Sequence, residues 1–404
     1  PNPSPHISSD HSQPAGAAQP SPAEPTLLKR AVSALGGASL LVCYLFLAVW
    51  VLAIVMTDRF LLSQYLYWFN PGLVLAGCFF LLWGWAFKRL TGKPKPARRA
   101  AVCAALAVVV MAGREYGLFR WVSHLADAGP PRGGAIRIVH WNMSQFDVAP
   151  GVNIGERLSA SGTPDIALVS MQNNPRLWEQ LVTAMKRTPD QTVTLANTGA
   201  EKVFSRFPVT ATRPHYIALG GPDAPGVAAA PPFIRRTLAW LFRSLSIQNR
   251  SPDYIEPASI VGVTFDTTAE LGRPLHAWFI DMPSNPLISR ADLVRAVTAR
   301  ASELQKAGSL PAPDFIAGDF NIPLGSGSLK AFAPGYSAAS GTAGLGRLAS
   351  WPRPRQVLQI DHILVSPRWR VSDYELLDPG ASEHMAQTVL LWPADTSPAS
   401  GAPK

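Results

Sequence analysis

The sequence predicts a mixed α/β domain that follows a group of membrane-spanning helices. Two observations carry this prediction. Long uncharged apolar runs fill the first third of the 404-residue chain, and from residue 135 to about 392 short β-branched runs alternate with helical stretches. A chain of this length holds two or three structural units. The first unit is therefore expected in a membrane and the second in water.

Three apolar runs are candidates for membrane spans, because a helix of about 20 apolar residues crosses a bilayer. The runs at about 31–56 and 61–87 carry no charged residue. Tyrosines and tryptophans stand near the ends of the second run, as in the aromatic belts of membrane proteins. The third run, at about 98–117, is uncharged over only 14 residues and spans only if its flanking side chains snorkel. We predict a membrane region at 28–126 with two or three spans.

Basic residues predict the orientation of this region. Lys29 and Arg30 precede the first run, and KRLTGKPKPARR, residues 88–99, separates the second run from the third. Short loops rich in Lys and Arg stay on the cytoplasmic side of a membrane. Three spans would place the C-terminal domain on the outer, or periplasmic, face, whereas two would leave it in the cytoplasm.

The net charge of +9 belongs mostly to the membrane region. Residues 1–133 hold 12 basic and 5 acidic side chains, whereas residues 134–404 hold 24 and 22. Non-specific binding to a nucleic-acid duplex relies on a broad basic surface, which the C-terminal part lacks. Nucleic acid is thus a possible but not a favoured partner, and no protein partner can be inferred. All three cysteines lie in apolar runs, so disulfides say nothing about the compartment.

Composition sets the remaining boundaries of the chain. Residues 1–27 are rich in Pro, Ser and Ala and are expected to be disordered, because they hold too few large apolar residues to offset the entropy of ordering. A linker rich in Gly and Pro is expected at 127–134, the α/β domain at 135–393, and a second disordered tail at 394–404.

Periodicity predicts nine strands and three helices within the α/β domain. The predicted strands lie at 135–142, 165–171, 192–196, 203–207, 259–265, 276–282, 314–321, 359–366 and 388–392. The predicted helices lie near Ile154–Ala160, Pro175–Lys186 and Arg290–Lys306. No internal repeat is evident.

Polar residues that could take part in catalysis or metal binding stand at the ends of predicted strands. GDFN ends an apolar run, so Asp319 and Asn321 lie on one face where the strand ends. A carboxylate and a carboxamide two residues apart can hold a water and a phosphoryl oxygen together. An Asp/Asn turn is the alternative for such a tetrapeptide. Asp361 and His362 interrupt a later apolar strand, where an unpaired charge would be costly, so a partner for Asp361 is expected.

A further pair, Glu383 and His384, precedes the last predicted strand. A lone histidine is more often structural than catalytic. An acid next to a histidine at the mouth of a strand, however, combines a metal ligand with a general base.

Five motifs in this order resemble the signature of the endonuclease/exonuclease/phosphatase family. They are VHWN with Asn142, FSRFP at 204–208, GDFN, IDHILVS and the tripeptide SEH at 382–384. The resemblance covers 135–393. It implies an α/β fold in the form of a four-layered α/β sandwich, two packed mixed β-sheets flanked by helices, with a site at the strand ends of one edge. It also implies Mg²⁺ or Mn²⁺ as cofactor, since hard cations prefer oxygen ligands.

The resemblance also implies roles for individual residues. Asn142 would lie near the metal and the phosphate, Asp319 would orient or deprotonate the attacking water, and Asn321 would hold that water and the phosphate. His384 would contact the phosphate and act as acid/base partner, with Asp361 fixing its tautomer. Glu383 stands where the family has Asp in its Ser-Asp-His motif, and a longer carboxylate is still acceptable as a metal ligand.

Two positions depart from the family pattern. The strand that usually ends in Gln-Glu reads PDIALVSMQNN, so Met171 takes the place of the principal metal ligand and Gln172 follows it. A glutamine carbonyl can coordinate a metal but lacks the charge. The middle histidine of the family is replaced by Asp281 and Met282, and His276 lies five residues upstream.

Two hypotheses about activity follow. In the first, the protein is a working hydrolase of phosphate esters, or phosphodiesterase, in which Asp281 or Glu383 supplies the lost charge. In the second, it is a catalytically degenerate, membrane-tethered binding or scaffold protein that keeps the fold. The survival of four polar residues that are costly to bury favours the first; they are Asp319, Asn321, Asp361 and His384.

The composition of the segment Pro231–Arg250 gives a clue to the class of substrate. It is basic and aromatic, and its leucines recur at helical spacing, so it could lie on an anionic membrane surface near the site. The alternative is a surface helix packed on its own domain. If it meets the membrane, a lipid headgroup phosphodiester becomes the natural substrate.

Overall fold

The computed structural model of the chain describes residues 26–115, 134–144, 151–171, 175–218, 237, 256–286, 288–346 and 348–394. Several sequence predictions fall outside these ranges. They are the two tails, apart from Thr26, Leu27 and Ala394, most of the linker at 127–134, the segment Pro231–Arg250 apart from Thr237, and Gln172.

Four helices form the N-terminal part: α1 (Leu27–Met56), α2 (Leu61–Trp68), α3 (Asn70–Leu90) and α4 (Lys95–Glu115). Within the described residues, α1, α3 and α4 are long and apolar enough to cross a membrane. Much of their apolar surface is exposed, as expected for side chains that face lipid.

Small residues allow α1 and α3 to pack closely. A Cβ atom at Gly84 would lie only 2.6 Å from Leu40 Cδ2, and one at Gly36 would lie 2.9 Å from Phe87 Cβ. Close backbone approach at glycine is a general way for helices to associate in lipid, where no hydrophobic force drives them together.

The predicted second span, 61–87, is divided in the structure. Helix α2 ends before Phe69, and α3 begins with Pro71 in its first turn. Proline fits the first turn of a helix but not its interior, because it lacks an N–H group and its ring clashes with the preceding turn. Of the two helices, only α3 is long and apolar enough to cross a membrane.

The segment between α1 and α3, residues 57–69, packs onto the globular domain, and we refer to it as the connector. The fully buried side chain of Gln64 donates to the carbonyl oxygens of Pro286 and Ile288, both at 3.2 Å, and accepts from the Arg290 N–H at 2.8 Å. The Tyr65 hydroxyl donates to Pro286 O at 2.7 Å. The connector is therefore a structural part of the domain.

Two further contacts fix the connector at a second loop. The Tyr67 hydroxyl donates to Leu324 O at 2.7 Å and accepts from Arg114 at 3.0 Å. The buried carboxylate of Asp58 accepts from both the backbone N–H and the hydroxyl of Ser328. The last turn of α4 thus lies at the domain end of the helix bundle.

The opposite end of the bundle is basic. Lys88 Nζ donates to Ser33 O at 2.9 Å, which joins the end of α3 to the beginning of α1. The residues 88–99, rich in Lys and Arg, therefore lie at the end of the bundle that is remote from the globular domain.

The globular domain contains two mixed β-sheets. The first has the strand order β12 (Trp369–Leu377), β13 (Ala386–Pro393), β1 (Ile136–Ser144), β2 (Ile166–Met171), β4 (Glu201–Ser205) and β3 (Thr194–Asn197). The second has the order β10 (Ser337–Ala338), β11 (Asp361–Val365), β9 (Phe315–Asp319), β8 (Leu275–Asp281), β7 (Ala258–Phe265) and β5 (Val209–Ala211), and β6 (His215–Ile217) also pairs with β7. Parallel pairs join β1 to β2 and β8 to β9.

Helices cover the outer face of each sheet. Helices α5 (Ile154–Leu158) and α6 (Pro175–Met185) pack on the first sheet, and α8 (Arg290–Lys306) and α9 (Gly327–Phe332) pack on the second. The short helices α7 (Thr268–Leu271) and α10 (Ala339–Ala343) connect strands. A third apolar core lies between the sheets. This architecture confirms the predicted four-layered α/β sandwich.

The predicted strands and helices all have counterparts, but several elements were missed. Strands β5, β6 and β10 have only two or three residues each and carry little periodic signal. The nine-residue strand β12 is an edge strand whose inside–outside alternation is interrupted by a register shift between Ser372 and Glu375. A bulge of this kind removes the period of two on which the prediction relies.

The connector yields the first testable prediction. Replacing Gln64 by alanine removes the acceptor of the Arg290 N–H and one donor to each of two buried carbonyl oxygens. We therefore expect the melting temperature (Tm) of the purified protein in detergent to fall by about 3 °C or more. The matched control is Arg59→Ala in the same connector, where the side chain is exposed. Equal Tm values for the two variants would contradict a structural role for the Gln64 contacts.

Candidate active site

One end of the second sheet carries a row of polar side chains on a single face. Strand register places Ser259 beside Asp281, Asp281 beside Asp319, and Asp319 beside Asp361. Paired residues on neighbouring strands project to the same face and lie close enough to interact. Three carboxylates therefore stand side by side where β8 and β9 end and β11 begins.

A second polar row belongs to the first sheet and faces this one. Register places Asn142 beside Ser170, and Ser170 beside Glu201. Asn142 Nδ2 donates to Asp319 Oδ2 at 2.9 Å, and the Ser259 hydroxyl donates to Glu201 Oε1 at 2.7 Å. The two sheets are thus joined by hydrogen bonds at the end of the sandwich, where polar side chains replace the apolar core.

His384 completes this arrangement from the loop before β13. Its Nδ1 lies 2.9 Å from Asp361 Oδ2, and its Nε2 lies 3.9 Å from Asp319 Oδ2. The Ser382 hydroxyl accepts from the His384 N–H and donates to Asn142 O at 2.7 Å, which holds the loop against β1. Because Asp361 binds Nδ1, Nε2 is the ring nitrogen on the Asp319 side.

Asp361 is held in place by a second donor. The Ser350 hydroxyl donates to Asp361 Oδ2 at 2.6 Å, so this oxygen serves both Ser350 and His384. The other oxygen, Oδ1, is buried and has no hydrogen-bond partner among the described residues.

Asn321 supports Asp319 through its backbone. Its N–H donates to Asp319 Oδ1 at 2.9 Å, and its side-chain Nδ2 donates to Met282 O at 2.7 Å. The backbone of Asn321 has a φ of 50°, in the left-handed region that asparagine tolerates better than most residues. The GDFN motif therefore turns sharply after β9 and leaves both oxygens of Asp319 hydrogen-bonded.

The buried carboxylates shift one another's pKa values. Burial and the charge of Asp361 raise the pKa of Asp319 to about 7, against the opposing effects of His384, Asn321 and Asn142. Burial, followed by the charges of Asp319 and Glu201, also raises the pKa of Asp281 well above its ordinary value. Like charges close together in a poorly solvated site favour the neutral acid.

The pKa of His384 is also raised, which for a histidine favours the charged form. Burial alone would lower the pKa of His384, but the charge of Asp361 and the hydrogen bond to it, together with Asp319 and Glu383, raise it to about 9. Burial would raise the pKa of Asp361, yet His384 holds that pKa below its usual value. His384 and Asp361 thus form an ion pair at neutral pH.

The carboxylates fit a hard divalent cation. Oxygens of Asp319 and Asp361 lie within 4.8 Å of each other and of a ring nitrogen of His384, and Asp281 adds a third carboxylate beside Asp319. Two buried carboxylate oxygens, Asp361 Oδ1 and Glu201 Oε2, have no partner among the described residues. Unpaired buried anionic oxygens are costly, and a cation with oxygen ligands would satisfy them.

Most of the sequence-predicted site residues come together here. A chain of contacts runs from Asn142 through Asp319 and His384 to Asp361. Asp281 lies beside Asp319, and Asn321 binds Asp319 through its N–H group.

Other predicted residues lie elsewhere. Glu383 is exposed, and its backbone oxygen accepts a hydrogen bond from the Arg353 N–H. His276 Nδ1 bonds the Thr264 hydroxyl on β7. His362 is buried and contacts Ile322 O at 2.7 Å, so it supports the loop after β9.

Sequence reasoning missed Glu201, Ser259, Ser350 and Ser382. Glu201 was overlooked because the strand was predicted to begin at Val203, whereas β4 begins two residues earlier, at Glu201 itself. The serines act through hydroxyl groups in otherwise ordinary segments, and only the SEH tripeptide gave a signal for one of them.

A family model described as the endonuclease/exonuclease/phosphatase family matches residues 202–384. This part of the chain is therefore similar to that family. The matched range contains Asp281, Asp319, Asp361 and His384, so the row of carboxylates and the histidine lie within it. The FSRFP motif lies at the other end of β4, where Arg206 forms an ion pair with Asp165.

Solved structures with a similar fold are distant. An endonuclease/exonuclease/phosphatase from Beutenbergia cavernae is 16% identical, with 65% of this chain and 72% of that chain covered and a TM-score of 0.38. The inositol polyphosphate 5-phosphatase domain of SPsynaptojanin, solved with inositol (1,4)-bisphosphate and a calcium ion, is 14% identical, with coverages of 64% and 84% and a TM-score of 0.36. A Cimex nitrophorin mutant, solved as a ferrous NO complex, is 12% identical, with coverages of 65% and 99% and a TM-score of 0.37. No curated protein sequence is similar enough to count as a match.

The raised pKa of Asp319 predicts a pH dependence of stability. In metal-free protein the folded state binds a proton at Asp319 up to about pH 7, whereas the unfolded chain releases it near pH 4. Stability from this group is therefore present at low pH and is lost as pH rises from about 4 to 7, by up to about 1.4 kcal/mol per pH unit.

The measurement is Tm in detergent with a chelator between pH 5 and 8. We expect Asp319→Asn to fall less steeply than the wild-type protein, and Glu303→Gln, on an exposed helix position, to follow the wild type. Parallel curves for Asp319→Asn and wild type would contradict the assignment.

Proposed function

We propose that this protein is a membrane-anchored, metal-dependent hydrolase of phosphate esters. The observation that supports it best is the convergence of Asp319, Asp361 and His384 with the neighbouring Asp281 at the end of the sandwich. The pKa of Asp319 is raised and that of Asp361 is lowered. Two acids with pKa values shifted in opposite directions, next to a charged histidine, are typical of a site for proton transfer.

In this proposal Asn142 and Asp281 would hold Mg²⁺ or Mn²⁺ through their side-chain oxygens. The cation would neutralise charge on the phosphoryl oxygens of the ester. The sequence-based candidates Glu383 and Gln172 remain possible additional ligands of the same ion.

Asp319 is the proposed acceptor of the proton from the attacking water. A general base works best when its pKa lies near the working pH, and that of Asp319 is raised to about 7. Hydrogen bonds from Asn142 and from the Asn321 N–H fix both of its oxygens. Asn321 and Asn142 therefore orient the base.

His384 is the proposed contact to the phosphate and the proton donor. Asp361 keeps the imidazole protonated and fixes its orientation by binding Nδ1. The Nε2–H group then faces the Asp319 side, where it can bond a phosphoryl oxygen and release its proton to the departing alcohol oxygen.

The connector supports a substrate at the membrane surface. It contacts the loop after β8 at Pro286 and Ile288 and the loop after β9 at Leu324, and these strands end at Asp281 and Asp319. The site end of the sandwich is therefore turned toward the helix bundle. We propose a lipid headgroup phosphate ester as the substrate, because such an ester is held at this level of the membrane.

Hydrolysis tests the proposal directly. With Mg²⁺ or Mn²⁺, His384→Ala and Asp319→Asn should each lower kcat for a model phosphate ester by about 10²-fold or more, since each removes a proton-transfer group. His276→Gln is the matched histidine control and should retain activity, because His276 bonds Thr264 away from the site. Each variant is assayed on a soluble diester and on a headgroup ester in vesicles.

The outcomes separate the hypotheses. Turnover of the vesicle substrate above that of the soluble one supports the lipid assignment, and the reverse order argues against it. No turnover of either by the wild-type protein, with both cations, would favour the binding or scaffold alternative.

We also propose that the globular domain lies on the outer face of the membrane. Two observations support this proposal: the connector contacts the domain at the bundle end opposite the basic residues 88–99, and short basic loops stay in the cytoplasm. With α1, α3 and α4 all spanning, the domain end of the bundle would be the outer end.

Thiol labelling checks this orientation. In a background with the three native cysteines replaced by alanine, Ser309→Cys should react with a membrane-impermeant maleimide in intact spheroplasts, whereas Lys93→Cys should react only after lysis. Both positions are exposed. The opposite labelling pattern would contradict an outer location.

A further inference from the structure

We propose that Glu201 supplies the metal-binding carboxylate that the end of β2 lacks. The inference rests on the proposed function, because it concerns the cation that hydrolysis would use. The sequence places Met171 where a charged ligand is expected, and the structure offers an acid one strand away.

The position of Glu201 fits this role. It begins β4, which pairs with β2 so that Glu201 lies beside Ser170, the neighbour of Met171 in the chain. Adjacent strands lie about 4.8 Å apart, a distance that a glutamate side chain can bridge. Glu201 thus reaches the same end of the sandwich as the missing ligand would.

The carboxylate of Glu201 is buried and only partly satisfied. The residue is 3% exposed, Oε1 accepts from the Ser259 hydroxyl, and Oε2 has no partner among the described residues. The neighbouring Lys202 does not pair with it, since its ammonium group bonds Asn197 Oδ1 and Gly199 O instead. A buried anion without a cation is costly, so an ion that completes it is expected.

Glu201 also faces the row of acids on the other sheet. Its partner Ser259 lies beside Asp281 in the strand register, and Asp281 lies beside Asp319. Opposite sheets therefore contribute Glu201 and Asp281 to the same end of the sandwich, where Asn142 of β1 also lies. Oxygen ligands from both sheets are thus available at this end, and a hard divalent cation takes several of them.

A proton is the competing explanation. Glu201 and Asp281 could share one hydrogen as a neutral pair, as closely spaced acids do in other proteins. That arrangement would stabilise the pocket without any metal, and it would make metal binding independent of Glu201.

The test is Mn²⁺ binding by the full-length protein in detergent, measured by calorimetry and by electron paramagnetic resonance of free Mn²⁺. Glu201→Gln keeps the size of the side chain and should weaken Mn²⁺ binding at least about ten-fold, because a charged ligand is lost. Glu179→Gln, on the exposed face of α6, is the control and should bind as the wild type.

A second readout guards against a folding defect. Mn²⁺ should raise the Tm of the wild-type protein, because a ligand that binds only the folded state stabilises it. In Glu201→Gln this increase should be largely lost, while the Tm without metal stays equal to or above that of the wild type, since a buried charge is removed.

The outcomes distinguish this inference from the proposed function. Unchanged Mn²⁺ binding in Glu201→Gln, or a loss confined to Glu383→Gln, would overturn the role of Glu201 even if the wild-type protein hydrolyses esters. A wild-type protein that neither binds Mn²⁺ nor hydrolyses any ester would overturn both proposals. Wild-type turnover without Mn²⁺ or Mg²⁺ would overturn the metal site alone.

Discussion

The burial of several carboxylates at one end of the sandwich is the constraint on which the site depends. Asp319 and Asp361 are almost completely buried, and Glu201 faces them from the other sheet. Each of these charges would be unfavourable alone, so the surrounding residues are arranged as donors. Asn142 joins the sheets through Asp319, Ser259 joins them through Glu201, and His384 neutralises Asp361.

The same constraint explains the shape of the loops around the site. Asn321 adopts a left-handed conformation so that its N–H group can reach Asp319. Ser382 turns the loop before β13 and binds the backbone of Asn142, which brings His384 over the strand ends. These loops have no apolar interior of their own, and hydrogen bonds to the buried acids hold them in place.

The N-terminal helix bundle is coupled to these loops through the connector. Arg290 is fully buried, donates to Pro283 O and Asn285 O, and lies over the ring of Trp68 at 5.3 Å. Gln64 accepts from the backbone of the same arginine. The segment between β8 and α8 therefore contacts both the globular domain and the connector, so movement of one would displace the other.

The sequence by itself determined the elements with a strong local pattern: the long apolar helices, the buried strands and the ordered motifs that carry Asp319, Asp361 and His384. It could not determine which acids meet. Glu201 and Asp281 lie on strands of different sheets, and only the strand register and the packing of one sheet on the other bring them to the same end. The location of residues 61–69 also depended on tertiary contacts, because an apolar helix can lie either in lipid or on a protein surface. Its buried hydrogen bonds to the domain decided between the two.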